Sequence, residues 1–311
     1  MLRYKAFGRA VRSVFAAAMV LMLFLVPQVV KAQSVQLLVD VPVPPEQISR
    51  LDERSNYIVD NFWKRLNFKG AFSAKDRMEA TLGQFFSVVP YASADTVFAA
   101  IDFLIKGVEK ADAKNLVPLA AMAEHLCGTD TSEYASEQLM LPFAQAVANS
   151  KKVKGPERER YAAMAKRMAN SRLGVAPADF TFVSPDGTTS HFSDVTQPTV
   201  LLFFYDPESF ESRLARTRLG SNFVIKTLSE NNMLKVVAIY PGEPTQAWKD
   251  DIDNVPDLWV IGAAPGIDEY FSIKRNPQMY FLNEDRIITD KDFGVDAILM
   301  YFDQFLKPQN N

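Results

Sequence analysis

Cysteine is all but missing from this chain: its 311 residues contain one, Cys127. No disulfide can close within it, and no C-x-x-C pair is available for redox or zinc chemistry. Histidine is nearly as scarce. His125 and His191 are the only two, which leaves few candidates for a general base or a metal shell. The 13 glycines are scattered. Gly262, Gly266 and Gly294 are too dispersed for a dinucleotide fingerprint, and there is no phosphate-binding glycine loop. Positive charge is not in excess either. Lys and Arg number 34 against 37 Asp and Glu, a net charge of −3, so nucleic acid, whose phosphates demand a basic surface, is not expected as a partner.

The one long apolar run is at the N-terminus. Arg3, Lys5, Arg9 and Arg12 precede an apolar stretch from Val14 to Val30 broken only by Pro27 and Gln28. Val30-Lys31-Ala32 then offers small residues at the positions that precede cleavage. This pattern predicts a secretory signal peptide over residues 1–32, removed before Gln33. The ~13 strongly apolar residues before Pro27 are too few for a comfortable membrane span of ~20, so no stable membrane insertion is expected after cleavage. No cysteine follows the run, so a lipid anchor is not expected. Removal would take five basic residues (Arg3, Lys5, Arg9, Arg12, Lys31) and no acidic one, turning −3 into −8. The expected location is outside the cytoplasm, in the periplasm.

Two compositions follow one another. From about Pro44 to Arg172 the periodic segments read as helices. Ile48, Leu51, Ile58, Phe62, Trp63 and Leu66 recur at three- and four-residue spacings, which places them on one face. Further helices are predicted at Ala74–Val88, from Ser93 onward, and near 113–127, 132–149 and 156–172. After Gly174 the pattern changes. Phe180 to Val183, a Pro185-Asp186-Gly187 turn and His191-Phe192 read as a β-hairpin. Buried strands at Thr199–Tyr205 and Leu234–Tyr240 alternate with helices. The helices are predicted to carry Leu214, Leu219, Phe223, Val224 and Leu228, and to cover Thr245–Ile252. A short strand at 258–261, strands at 278–282 and 286–289, and a closing helix over 296–306 complete the reading. Strands alternating with helices imply parallel pairs covered on both faces, and the antiparallel end makes the sheet mixed. The expected fold class is α + α/β, with a helical domain at 44–173 and a mixed sheet flanked by helices at 174–308.

Leu201 to Ser212 is the most informative stretch: an apolar strand, a turn at Asp206-Pro207-Glu208, then a helix beginning near Ser209-Phe210-Glu211-Ser212. A helix start aims backbone N–H groups and a positive dipole end at its first residues. A second mark is Arg275-Asn276-Pro277-Gln278, a proline just before a late strand. Together with Ala176-Pro177-Ala178-Asp179-Phe180, these segments resemble the thioredoxin-like family, in its branch of secreted bacterial disulfide reductases and alkyl-hydroperoxide-reductase relatives. The helical half, through Asn61-Phe62-Trp63, Pro90-Tyr91 and Ala123-Glu124-His125-Leu126, resembles an uncharacterised helical domain found upstream of such modules.

The resemblance implies a cis-proline loop at Pro277 that packs against the active-site turn and offers backbone groups to an extended chain. It also implies cysteines at positions 209 and 212, where Ser209 and Ser212 stand instead. Thiol–disulfide exchange needs a thiolate attacking sulfur, so the resemblance carries over the fold and not the activity. A further drift is Asn276, where such relatives often carry threonine. A serine nucleophile needs a base within reach, and nothing places either histidine there; Ser209, Glu208 and Glu211 read as a helix start. The expectation is a redox-inactive protein that binds a protein or peptide partner in a groove formed by Pro207, Glu208, Phe210, Asn276 and Pro277. The rival is a thiol–disulfide oxidoreductase seen with its two cysteines exchanged for serine.

No cofactor or metal is expected, and the oligomeric state stays open. Cys127 reads as a small buried hydrophobe, with free-thiol chemistry or a His125–Cys127 metal pair, lacking a third ligand, as rivals. Arg213, Arg216 and Arg218 would put cations along the helix after the serines, either as plain surface charge or as a grip on an acidic partner. Lys151, Lys152 and Lys154 read as a solvated loop.

Overall fold

The computed structural model describes residues 35–129 and 132–304. The signal-peptide reading and the end of the closing helix lie outside them. From Leu37 onward the chain forms one compact unit.

Six helices come first: α1 (Leu51–Asn61), α2 (Lys75–Val88), α3 (Ala94–Asp112), α4 (Leu116–Cys127), α5 (Glu137–Asn149) and α6 (Pro156–Asn170). Serines start two of them. Ser93 accepts from the Thr96 amide and Ser136 from the Leu139 amide, each satisfying a donor that the first turn cannot. The apolar stripes meet in a single core. Its aromatic centre is Phe62, Trp63 and Phe85, with ring centroids 4.8–5.4 Å apart. Phe62 and Trp63 lie just past the end of α1, in the turn, and are buried there. Leu51, expected on the buried face, is exposed because it is the first residue of the helix.

A seven-stranded sheet follows, in the order β2-β1-β5-β4-β3-β6-β7. The strands are β1 (Thr181–Val183), β2 (Thr189–His191), β3 (Thr199–Phe204), β4 (Leu234–Tyr240), β5 (Val260–Ala263), β6 (Gln278–Leu282) and β7 (Ile288–Lys291). β3, β4 and β5 run parallel; the remaining pairings are antiparallel. β3 and β4 are central, which is why both read as unbroken apolar runs. Leu201 and Phe203 face a core with α7 (Phe210–Ser221), α8 (Phe223–Glu230) and α10 (Val295–Asp303); Val200, Leu202 and Phe204 face a second core with Phe180, Phe271 and Tyr280.

Three expectations need correction. The helix after the serines is two helices, because Asn222 leaves the helical conformation and caps α8 by accepting from the Ile225 amide. Leu214 and Phe223, counted with the apolar stripe, are 48% and 68% exposed. The strand predicted at 258–261 begins two residues later, at Val260. Gly262 on this strand sits so close to β1 that an added Cβ would lie 2.3 Å from the Phe182 ring.

Candidate functional site

Phe204 pairs with Gln278. The chain leaving β3 (Tyr205, Asp206) and the chain entering β6 (Asn276, Pro277) therefore emerge side by side at one end of the sheet. The Asn276–Pro277 peptide bond is cis. The first turn of α7 begins on the same end.

Asp206 organises the turn. Its carboxylate accepts from the Glu208 amide at 2.9 Å, and its carbonyl accepts from the Ser209 amide at 3.1 Å. Ser209 is the N-cap of α7. Its Oγ accepts from the Ser212 amide at 3.3 Å and donates to Glu211 Oε2 at 3.1 Å. Ser212 is wholly buried, and its Oγ accepts from the Asp206 amide at 3.2 Å. Both hydroxyls thus hold the loop and the helix start. Among the described residues neither has a histidine hydrogen-bonded to it, and the carboxylate on Ser209 is that of its own first turn, Glu211. His125 pairs with Glu79 at 2.5 Å in the helical region, and His191 with Asp179 at 3.5 Å beside β2.

The expected groove residues do not all face outward. Phe210 is 65% exposed, Glu208 and Asn276 are exposed, and Pro277 is half-buried. Pro207 is buried and its carbonyl accepts from Arg213 Nη1 at 2.9 Å, so it shapes the turn. The three arginines of α7 are all committed within the chain. Arg213 holds Pro207, Arg216 is buried against Asp251 of α9 (Gln246–Asp251), and Arg218 pairs with Asp296 of α10. Arg216 lies one turn below Ser212. Around it the Tyr205 hydroxyl and the Trp248 indole nitrogen are buried, and among the described residues neither has a partner in hydrogen-bond geometry. Burial, with the Asp251 charge adding to it, pushes the Tyr205 hydroxyl above its ordinary range.

A second charged cluster reaches the same end of the sheet from the other side. Glu137, at the start of α5, is buried. It takes hydrogen bonds from Ser272 Oγ and Lys291 Nζ and lies 3.3 Å from Lys274 Nζ. Lys291 also donates to the Ser171 carbonyl at 2.9 Å. Ser272 and Lys274 belong to the segment that runs into Pro277, so the helical region braces the proline loop. Burial alone would push the Glu137 carboxyl up. The charges of Lys291 and Lys274, with the two hydrogen bonds, outweigh it and hold the carboxyl below the usual range.

Neither buried cluster was foreseen in the sequence. For Arg216 a signal existed: Ser212, Ala215, Arg216 and Leu219 share the helical spacing of the buried face. For Glu137 and Lys291, 154 residues apart, no local pattern connects them. Cys127 is buried and its thiol is pushed up to about 12 by burial, against the opposing charge of Lys274. Among the described residues no group of three or more His, Cys, Asp or Glu is placed to hold a metal, and no helix is long and apolar enough to cross a membrane.

Residues 27–171 match a family described as a domain of unknown function, DUF5106. A thioredoxin-like protein from Bacteroides caccae superimposes over 85% of this chain and 98% of its own, with a TM-score of 0.70 at 21% identity. A conserved protein of unknown function from Bacteroides fragilis aligns over 42% of this chain and 98% of its own (TM-score 0.40, 28% identity). The thioredoxin domain of a thiol–disulfide oxidoreductase from Bacteroides vulgatus aligns over 44% and 99% (TM-score 0.37, 15% identity). No protein of curated function matches the chain. The helical region matching DUF5106 is followed by a mixed seven-stranded sheet, and the fold is thioredoxin-like.

Proposed function

We propose that this is an exported, periplasmic thioredoxin-like protein that holds an extended protein or peptide segment beside Ser209 and Pro277 and performs no thiol–disulfide exchange. The observation that carries the reading is the state of Ser209 and Ser212. Oxygen replaces sulfur at both positions, and both hydroxyls serve the helix start. The exposure of these residues supports binding, since Phe210 and Leu214 stand exposed one turn apart on α7 and Asn276 is exposed next to Pro277. The N-terminal sequence pattern supports export.

An insulin-reduction assay with dithiothreitol tests the chemistry. No turnover above the uncatalysed rate is expected, and turnover above it would overturn the reading. Affinity capture from periplasm, run beside Phe210→Asp, tests the binding. A partner held by the parent and lost by the variant supports the groove.

A second reading is favoured by one feature. Ser209 is partly exposed and Ser212 buried, as an attacking and a resolving thiol would be. If the protein is an oxidoreductase carrying serine in place of cysteine, its source gene has cysteine codons at 209 and 212. Serine codons there exclude it.

A further inference from the structure

The seam between the helices and the sheet contains a cleft of about 560 Å³, within the ~300–1,000 Å³ typical of small-molecule sites. One wall is apolar: Phe98 of α3, Leu141 of α5, Met168 of α6 and Leu173 just beyond it. Phe98 and Leu173 are among the large hydrophobic side chains left exposed. The floor is the Glu137–Lys291 pair, each side chain 7% exposed and each satisfied by the other. Asp292 also lines the cleft, but its carboxylate is engaged by Gln278 Nε2 at 2.8 Å and lies 3.9 Å from Lys291.

Arg172 differs from these. It lines the cleft, is exposed, and has no hydrogen-bond or ion-pair partner among the described residues. The arginines of α7 are all tied down. Within the lining Glu137 is matched by Lys291 and Asp292 is engaged by Gln278, so Arg172 is the lining cation with no partner among the described residues. A guanidinium beside an apolar wall suits a planar anionic head on an apolar body, because its fork of N–H groups matches a carboxylate in two hydrogen bonds.

We propose that this cleft binds a small amphipathic acid, with Arg172 gripping the carboxylate and the Phe98–Leu141–Met168–Leu173 wall covering the apolar part. The site is distinct from the serine turn and does not depend on the groove reading.

The test is calorimetric titration of the full chain with sodium decanoate below its micelle concentration, with decyltrimethylammonium as the control of equal chain length. Saturable one-to-one binding of decanoate is expected, and weaker binding of the cation, although the acidic protein as a whole favours cations. Arg172→Gln, an exposed change that leaves the fold intact, is expected to weaken decanoate about tenfold or more. Leu173→Asp, also exposed, should weaken it through lost apolar cover and repulsion. Lys152→Gln, on the loop before α6, should change nothing. Absence of saturable binding, equal binding of the cation, or a smaller loss in Arg172→Gln would overturn the proposal.

Discussion

Glu137 shows how one residue's surroundings set its behaviour. The side chain is buried, yet two lysines and a serine keep it ionised. Changing it to Gln leaves Lys274 and Lys291 facing an amide. Removing one member of a buried ion pair costs about 3–5 kcal/mol, and a loss toward the lower end is expected here because Lys274 is less buried than Lys291. The pH dependence follows from the direction of the shift. The folded carboxyl titrates below its unfolded value, so its stabilisation is complete above ~pH 4.3 and fades as pH falls toward the folded value. Urea unfolding of parent and Glu137→Gln should differ fully at neutral pH and converge in acid. A constant difference throughout would contradict the assignment.

Cys127 gives a second test at this scale. A thiol with a value of about 12 is only roughly one part in ten thousand ionised at pH 8, and it is also inaccessible. Native protein should react with a thiol reagent far more slowly than unfolded protein. Rapid native labelling would mean the thiol is not packed as described.

Among the elements, α7 is the one whose reading changed most. Its sequence looks like an ordinary amphipathic helix with a serine cap, and the cap is there. What was missed, although the spacing of Ser212, Ala215 and Leu219 carried it, is that Arg216 turns inward to Asp251 while Leu214 turns out. Apolar residues usually decide which face a helix buries. Here the face is set by Ser212, Ala215 and Leu219, and the charge of Arg216 is tolerated because α9 delivers Asp251 opposite it. Asp251→Asn should therefore destabilise by about 3 kcal/mol, since it strands a buried guanidinium. The double change Arg216→Met with Asp251→Leu should restore most of that loss by refilling the site with apolar volume. Thermal unfolding checks both. If the single change is harmless, the pair does not anchor α7. The proline loop was legible for a different reason: a proline just before a late strand resembles the cis-proline loop of thioredoxin-like proteins, and the Asn276–Pro277 bond is cis.

Over the whole molecule, the helical region and the sheet region are joined by buried polar contacts. Ser171, Glu137, Ser272 and Lys291 form a continuous set across the seam. Exposing that set on separation leaves each half with unpaired charge, so the two regions should unfold together. Trp63 reports on the helices, and Trp248 and Trp259 on the sheet. Unfolding curves of Trp63→Phe and of Trp248→Phe with Trp259→Phe should share one midpoint, after correction for each variant's own stability. Two separate midpoints would show that the seam does not couple them.

The amino-acid sequence by itself determined the order of elements, the mixed sheet, the helix start at Ser209 and the impossibility of disulfide chemistry between positions 209 and 212. All of these rest on local periodicity, capping chemistry and the presence or absence of an atom. The tertiary structure alone decided that the serine hydroxyls bind the loop, that Pro207 is buried, that Arg216 is committed to Asp251, and that Glu137 braces the proline loop. Those outcomes depend on which distant segments meet. A buried charge is tolerated only where its partner arrives, and the partners here lie 35 residues away for Arg216 and 154 for Lys291.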